Sequence, residues 1–188
     1  MTHVDELDTP ALIIDLDVME QNLRRVTEYA KAHHLRLRPH TKTHKIPELG
    51  RRQLAAGAVG LTVAKVSEAE VMLRADPVNL LLAYPVVGTA KLARLVEVAK
   101  RTRVTVALDS ETVARGLSAT GAKVGVLAEL NVGLDRVGVQ SGEELIHLVC
   151  TIASLPGLDF EGITFYPGHI KQASSPKCRS YRRSLRQR

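Results

Sequence analysis

The sequence predicts an α/β protein, built from βαβ units around a parallel sheet. Short apolar runs alternate with amphipathic stretches of roughly ten to fifteen residues, the pattern of strands returning through helices. Aromatics are scarce, with no Trp and two Phe, so Leu, Val, Ile and Ala must fill the core. The first predicted strand runs into Asp15-Leu16-Asp17, without the glycine-rich phosphate loop that an open doubly wound sheet wants there. Polar residues gather instead at the C-terminal ends of several strands, which favours a (β/α)8 barrel of the TIM type.

The elements follow in order. Residues 11–17 read as a strand. Asp17 with Glu20 forms a capping box, and Met19, Leu23, Val26 and Ala30 continue at helical spacing. Residues 35–40 are the next strand, followed by a helix over 47–56. Residues 60–64 form a strand, and Ser67 with Glu70 opens another helix by the same capping logic. Strands at 79–84, 103–108, 123–132 and 160–166 enclose helices at 89–100, from Ser110, and from Ser141 with Glu144 at its third position. That makes seven strands in strict alternation with helices.

The 188 residues suit one domain, and an apolar content of 45% supports a real core. The net charge of +6 is unevenly spread. Residues 171–188 hold seven basic side chains and no acidic one, so subtracting them leaves −1 for residues 1–170. A near-neutral body with few aromatics argues against a nucleic-acid-binding protein. Residues 171–188 show neither stripe nor alternation, and read as a basic tail that is disordered or shifted out of the ancestral reading frame. Cys150 and Cys178 make no disulfide framework, and Cys150 is expected to be a buried small residue. The N-terminus lacks the layout of a signal peptide, and no apolar run approaches the roughly 20 residues that cross a bilayer. The expectation is a cytoplasmic protein with no membrane partner.

Arg38-Pro39-His40-Thr41-Lys42-Thr43-His44-Lys45 places five basic or potentially basic groups in eight residues. A lysine crowded by cations gives up its proton more easily, and a neutral amine can form a Schiff base. If the segment is extended, Arg38, His40, Lys42 and His44 share one face, where a charged ligand would have to offset their burial. The competing reading is a solvated basic turn. A metal shared by His40 and His44 is disfavoured, because on a strand they stand about 13 Å apart and Pro39 opposes a helix. His33 and His34 are surface groups at a helix C-terminus. In residues 131–139, two glycines surround Asp135-Arg136, offering forked donors to an anionic oxygen or else a surface ion pair. Phe165-Tyr166-Pro167-Gly168-His169 and Tyr84-Pro85 either line a pocket or end their strands.

Taken in order, Asp8-Thr9-Pro10-Ala11 leading to Asp15-Leu16-Asp17, the Arg38–Lys45 string, Gly133 to Gly138 and Phe165-Tyr166-Pro167-Gly168-His169 resemble the D-threonine aldolase and D-serine dehydratase group of pyridoxal-phosphate enzymes, of the alanine racemase-like fold type. The likeness runs from about Asp8 to Ile170. It implies a barrel that holds the cofactor and a second, β-rich domain from the two chain ends. Residues 11–17 would belong to that second domain, and 35–40 would be the first barrel strand. The chain would then hold about six of the eight strands of such a barrel. Residues 1–170 would be a partial N-terminal cofactor-barrel domain, and residues 171–188 the tail.

The resemblance implies that Lys42 forms the Schiff base with pyridoxal 5'-phosphate. It implies that Arg136 lies near the cofactor's phenolic oxygen and the substrate carboxylate. It further implies that Tyr166 approaches the ring and that His40 and His44 are candidates for the wall of the cofactor pocket. The substrate would be a small D-3-hydroxy amino acid, cleaved at Cα–Cβ in the aldolase outcome or dehydrated and deaminated in the other. Full-length relatives are implied to be homodimers with a divalent-metal site in the C-terminal domain. No residue here can be assigned to that metal site or to the late-strand phosphate groups. An incomplete barrel leaves sheet edges unpaired. The alternatives are therefore a truncated and inactive enzyme, a non-catalytic cofactor-binding fragment, or an amino-acid racemase-like protein.

Overall fold

The computed structural model describes residues 3–170. The tail at 171–188 lies outside the described residues. Five parallel strands form one sheet in chain order: β1 (Leu61–Val63), β2 (Asn79–Leu82), β3 (Arg103–Leu108), β4 (Val124–Glu129) and β5 (Leu158–Thr164). Helices α3 (Val66–Met72), α4 (Thr89–Ala99), α5 (Glu111–Ser118) and α6 (Gly142–Ser154) connect them in turn, after α1 (Leu16–Ala32) and α2 (Pro47–Ala55). The strand expected at residues 35–40 is reduced to a single bridge beside β1. His40 bridges Thr62 in the parallel sense, while Thr62 N–H donates to the Pro39 carbonyl and Thr41 N–H to the Thr62 carbonyl, both at 2.8 Å. Strand order that never reverses is what a (β/α)8 barrel requires, whereas a doubly wound sheet reverses at a switch point. Among the described residues no helix is long and apolar enough to cross a membrane.

Side-chain alternation gives the sheet two unlike faces. Leu61, Val63, Leu80, Leu82, Val104, Val106, Val124 and Val126 are at most 1% exposed and pack against Met72, Leu95, Val98, Leu117 and Ile152 of the helices. The opposite face carries Thr62, Leu81, Thr105 and Gly125 side by side in register. Glu161 stands over the Thr105–Gly125 end of this row, where the β4–β5 register shifts after Val126. Its carboxylate accepts from Thr105 Oγ1 at 2.9 Å and from Arg103 Nη2 at 2.5 Å. Gly125 leaves room for it, because a Cβ there would collide with the Glu161 carboxylate.

Several expected elements shift. Residues 11–17 form no strand: α1 starts at Leu16, and Asp15, not Asp17, is the N-cap, its carboxylate accepting from Val18 N–H at 3.0 Å. Among the described residues no strand lies beside this apolar run to give it a ladder, and Leu12 and Ile13 stand 91% and 60% exposed. The local cap therefore wins. In α1 the stripe drifts, leaving Val26 exposed while Met19 and Leu23 are half-buried and Ala30 is buried. Lys65 rather than Ser67 precedes α3, and Glu68 reaches back to the Ala64 N–H at 2.8 Å. Ser110 and Ser141 cap α5 and α6 as expected. Cys150 is exposed, not buried. It sits two residues beyond Leu148, about 200° around the helix from it, on the side away from the Leu145-Leu148-Ile152 stripe.

Candidate active site at the C-terminal ends of the strands

A cavity of about 200 Å³ opens at the C-terminal ends of the strands, lined by His40, Lys42, Ala64, Ala83, Tyr84, Ala107, Glu129, Arg136, Thr164, Phe165 and Tyr166. Four sequence-predicted residues, His40, Lys42, Arg136 and Tyr166, thus meet in one place, and Tyr84 joins them. The three alanines follow from the sheet's alternation, lying on the face opposite the helices, and their small side chains leave room for a ligand.

The route of the chain after His40 explains how Lys42 reaches this cavity. Thr41 is 1% exposed, and its hydroxyl donates to the Thr62 carbonyl at 3.2 Å. The chain then turns. Lys45, at φ 52°, donates its N–H to the Thr41 carbonyl at 2.8 Å and its Nζ to the Lys42 carbonyl at 2.6 Å. The Lys42 backbone is thereby clamped, while its side chain is exposed to the cavity. This turn breaks the expected inward-facing quartet. His44 leaves the strand face, and its Nδ1 accepts from Ile46 N–H at 3.0 Å just ahead of α2. Arg38 does not line the cavity; burial lowers its pKa, with the Glu161 charge opposing that effect.

His40 is held below the ordinary histidine pKa, first by burial and then by the Lys42 charge. Its Nδ1 accepts from Lys42 N–H at 3.3 Å, which places the proton of the neutral ring on Nε2. His44 is likewise lowered, chiefly by burial. Both histidines therefore commit one ring nitrogen, Nδ1, to local backbone. Among the described residues no group of three or more His, Cys, Asp or Glu side chains is arranged to hold a metal ion.

The loop after β4 presents Arg136. Leu130 bridges Val139 in the parallel sense, and Asn131 N–H donates to the Val139 carbonyl at 2.9 Å. Gly138, at φ 106°, lets the chain pass against the Leu130–Asn131 backbone, where no Cβ fits. Asp135 accepts from Asn131 Nδ2 at 2.8 Å, so of the two readings of this loop the Asp135–Arg136 surface pair is not formed. The Arg136 guanidinium lies over the Tyr166 ring instead, 4.8 Å from its centroid. His169 sits against Gly133 rather than on the cavity wall. His33 accepts its helix-end role, with Nδ1 2.9 Å from the Tyr29 carbonyl.

Sequence reasoning missed Glu129, the last residue of β4. It lines the cavity and is 5% exposed, yet its Oε2 is buried without a hydrogen-bond partner. Burial raises its pKa, the Asp109 charge adds to this, and the Arg136 charge opposes it. The signal was a lone acid closing an otherwise apolar strand, Val124-Gly125-Val126-Leu127-Ala128-Glu129.

These groups suit an aldehyde-bearing, anionic aromatic cofactor at its reactive end. An amine can join the aldehyde, an arginine can meet a phenolic oxygen, and a tyrosine ring stands beside the space. An unpartnered acid in the same wall also fits a ligand that rearranges its neighbours.

The family profile described as alanine racemase, N-terminal domain, matches residues 14–187. The D-threonine aldolase of an Arthrobacter species is 38% identical over 169 residues, covering 88% of this chain and 45% of that protein. The 3-hydroxy-D-aspartate aldolase of Paracoccus denitrificans strain Pd 1222 is 36% identical over 176 residues, covering 90% of this chain and 46% of that protein. Among solved structures, the D-threonine aldolase of Filomicrobium marinum superposes with a TM-score of 0.89 at 42% identity, over 96% of this chain and 50% of that one. The chain spans about half the length of the curated relatives it matches. An alanine racemase of Bacillus anthracis, at 20% identity and a TM-score of 0.72, shares the fold.

Proposed function

Because the chain belongs to the alanine racemase N-terminal domain family, we propose that it is the cofactor-barrel portion of a pyridoxal-phosphate lyase acting on small D-3-hydroxy amino acids, with Lys42 as the residue that binds the cofactor covalently. The single observation that carries this reading is the Lys42 amine, open to a cavity at the C-terminal ends of the strands beside His40, Arg136 and Tyr166. It agrees with the family match and with relatives named as D-threonine and 3-hydroxy-D-aspartate aldolases.

Lys42 would join the cofactor aldehyde through Nζ, and once displaced by the substrate amine would stand free to hold a proton near Cα. Arg136 would meet the phenolic oxygen and the substrate carboxylate, where its forked donors match two oxygens. Tyr166 would bound the ring, with Arg136 already on its face. His40, kept neutral by burial and by Lys42, would add a polar wall without repelling the amine. When bound, pyridoxal phosphate supplies a ring that withdraws the electron pair released at Cα. In the proposed assembly, a divalent metal and a partner subunit come with the half of the protein that the relatives have beyond this chain.

The test is chemical trapping. Pyridoxal phosphate is added to the full chain, borohydride is added, and the modified peptide is sequenced by mass spectrometry. Modification confined to Lys42 and lost in Lys42→Ala is the expected result. Equal labelling of Lys42→Ala would remove the assignment.

A further inference from the structure

We propose that Glu129 is a positioning residue for Arg136: in the occupied site its carboxylate takes one edge of the guanidinium and turns the other edge toward the ligand's anionic oxygen. This rests on the reading of the cavity as a cofactor site.

Three observations converge. First, a buried carboxylate oxygen without a donor is costly, and native structures rarely leave one so. Glu129 Oε2 is such an atom, and among the described residues Glu129 is the one acidic side chain on the cavity wall. Second, the donor it lacks is tethered above it. The Glu129 carbonyl accepts from Val139 N–H at 2.9 Å, so the loop that carries Arg136 leaves and returns at Glu129 itself. Both side chains line this cavity and the small hollow under the loop. Third, Arg136 is engaged with a ring rather than with a carboxylate. A cation–π contact at an exposed site is weaker than a hydrogen bond to a charged group. The guanidinium has five donors in a fixed fork. It can serve Glu129 and a ligand oxygen together, and the carboxylate fixes which way the fork points.

Neutralising Glu129 should therefore have opposite effects on stability and on binding. Glu129→Gln removes a charge that the ligand-free protein buries without a partner, so the ligand-free chain should be no less stable than the wild type. The same change weakens the grip on Arg136. Pyridoxal phosphate affinity, read from the visible absorbance of the Lys42 conjugate, should fall about tenfold, the difference between a charge-assisted and a neutral hydrogen bond. Arg136→Ala should weaken affinity at least as much. In the Arg136→Ala background, Glu129→Gln should then change affinity by less than about twofold, since the two act as a unit.

Additive losses would show that Glu129 touches the ligand independently of Arg136, and would overturn the proposal. So would an unchanged affinity in Glu129→Gln, or a ligand-free variant less stable than the wild type, which would reveal a partner already in place. A wild-type chain that forms no conjugate at Lys42 removes the cofactor reading and this proposal together. A conjugate with an additive cycle removes the proposal alone.

Discussion

Gly125→Ala tests the polar layer beneath the cavity. Gly125 is the second residue of β4, at a φ outside the left-handed region, so alanine there brings no backbone strain. By itself the change should stabilise the chain by about 0.4–1 kcal/mol, through the unfolded state. The added Cβ, however, falls on the Glu161 carboxylate. That carboxylate is anchored by Arg103 and by Thr105, whose hydroxyl is on a residue 0% exposed. Moving Glu161 leaves the Thr105 hydroxyl buried and unpaired, costing about 1–3 kcal/mol. It also weakens the Arg103 pair, in which the arginine side chain is 58% exposed, so solvent screening limits that loss to about 0.2–1 kcal/mol. The net expectation is a destabilisation of about 1–3 kcal/mol. Urea unfolding of the full chain measures it, provided the slope of the transition is unchanged. In a Glu161→Ala background the collision is gone, and Gly125→Ala should become neutral or stabilising. Equal destabilisation in both backgrounds would refute the reasoning, because it would place the cost in the strand and not in the contact.

The remaining predictions concern protons. His40 and His44 both have folded-state pKa values below the ordinary one, so between the folded values and about pH 6.5 the unfolded chain binds more protons. Stability should therefore fall as pH drops through that window, and His40→Asn with His44→Asn should flatten the fall in a series of urea midpoints. Glu129 has a raised folded pKa, so from about pH 4.3 up to that folded value the folded chain binds the extra proton. Stability from this group is present at low pH and lost as pH rises through the window. Glu129→Gln should accordingly gain stability over the wild type at neutral pH, with the gain vanishing near pH 4. A gain independent of pH would point to packing instead.

Much of the fold could be read from local chemistry, because its signals repeat over short distances. Ser110, Ser141 and the apolar runs of β2, β3 and β4 mark their own elements, and the unbroken βα alternation dictates parallel strands in chain order. The string Arg38 to Lys45 marked Lys42, and the glycines of residues 131–138 marked the loop carrying Arg136. What failed was whatever depended on a partner. Residues 11–17 read as a strand from their apolar run, but among the described residues no neighbour offers them a ladder, and Asp15 caps a helix instead. Arg38, His40, Lys42 and His44 share a face only while the chain is extended, and the hydrogen bonds of Thr41 and Lys45 bend it.

The sequence by itself determined that this chain is built of βα units, and that an unusual lysine sits in a cluster of basic residues just after residues 35–40. Only the tertiary structure decided that Lys42, Arg136 and Tyr166 face one cavity, and that Glu129 stands buried among them with an oxygen unpaired. The physical reason is that periodicity and capping act within a few residues, whereas burial and the pairing of charges are set by groups far apart in the chain that meet only when the strands assemble.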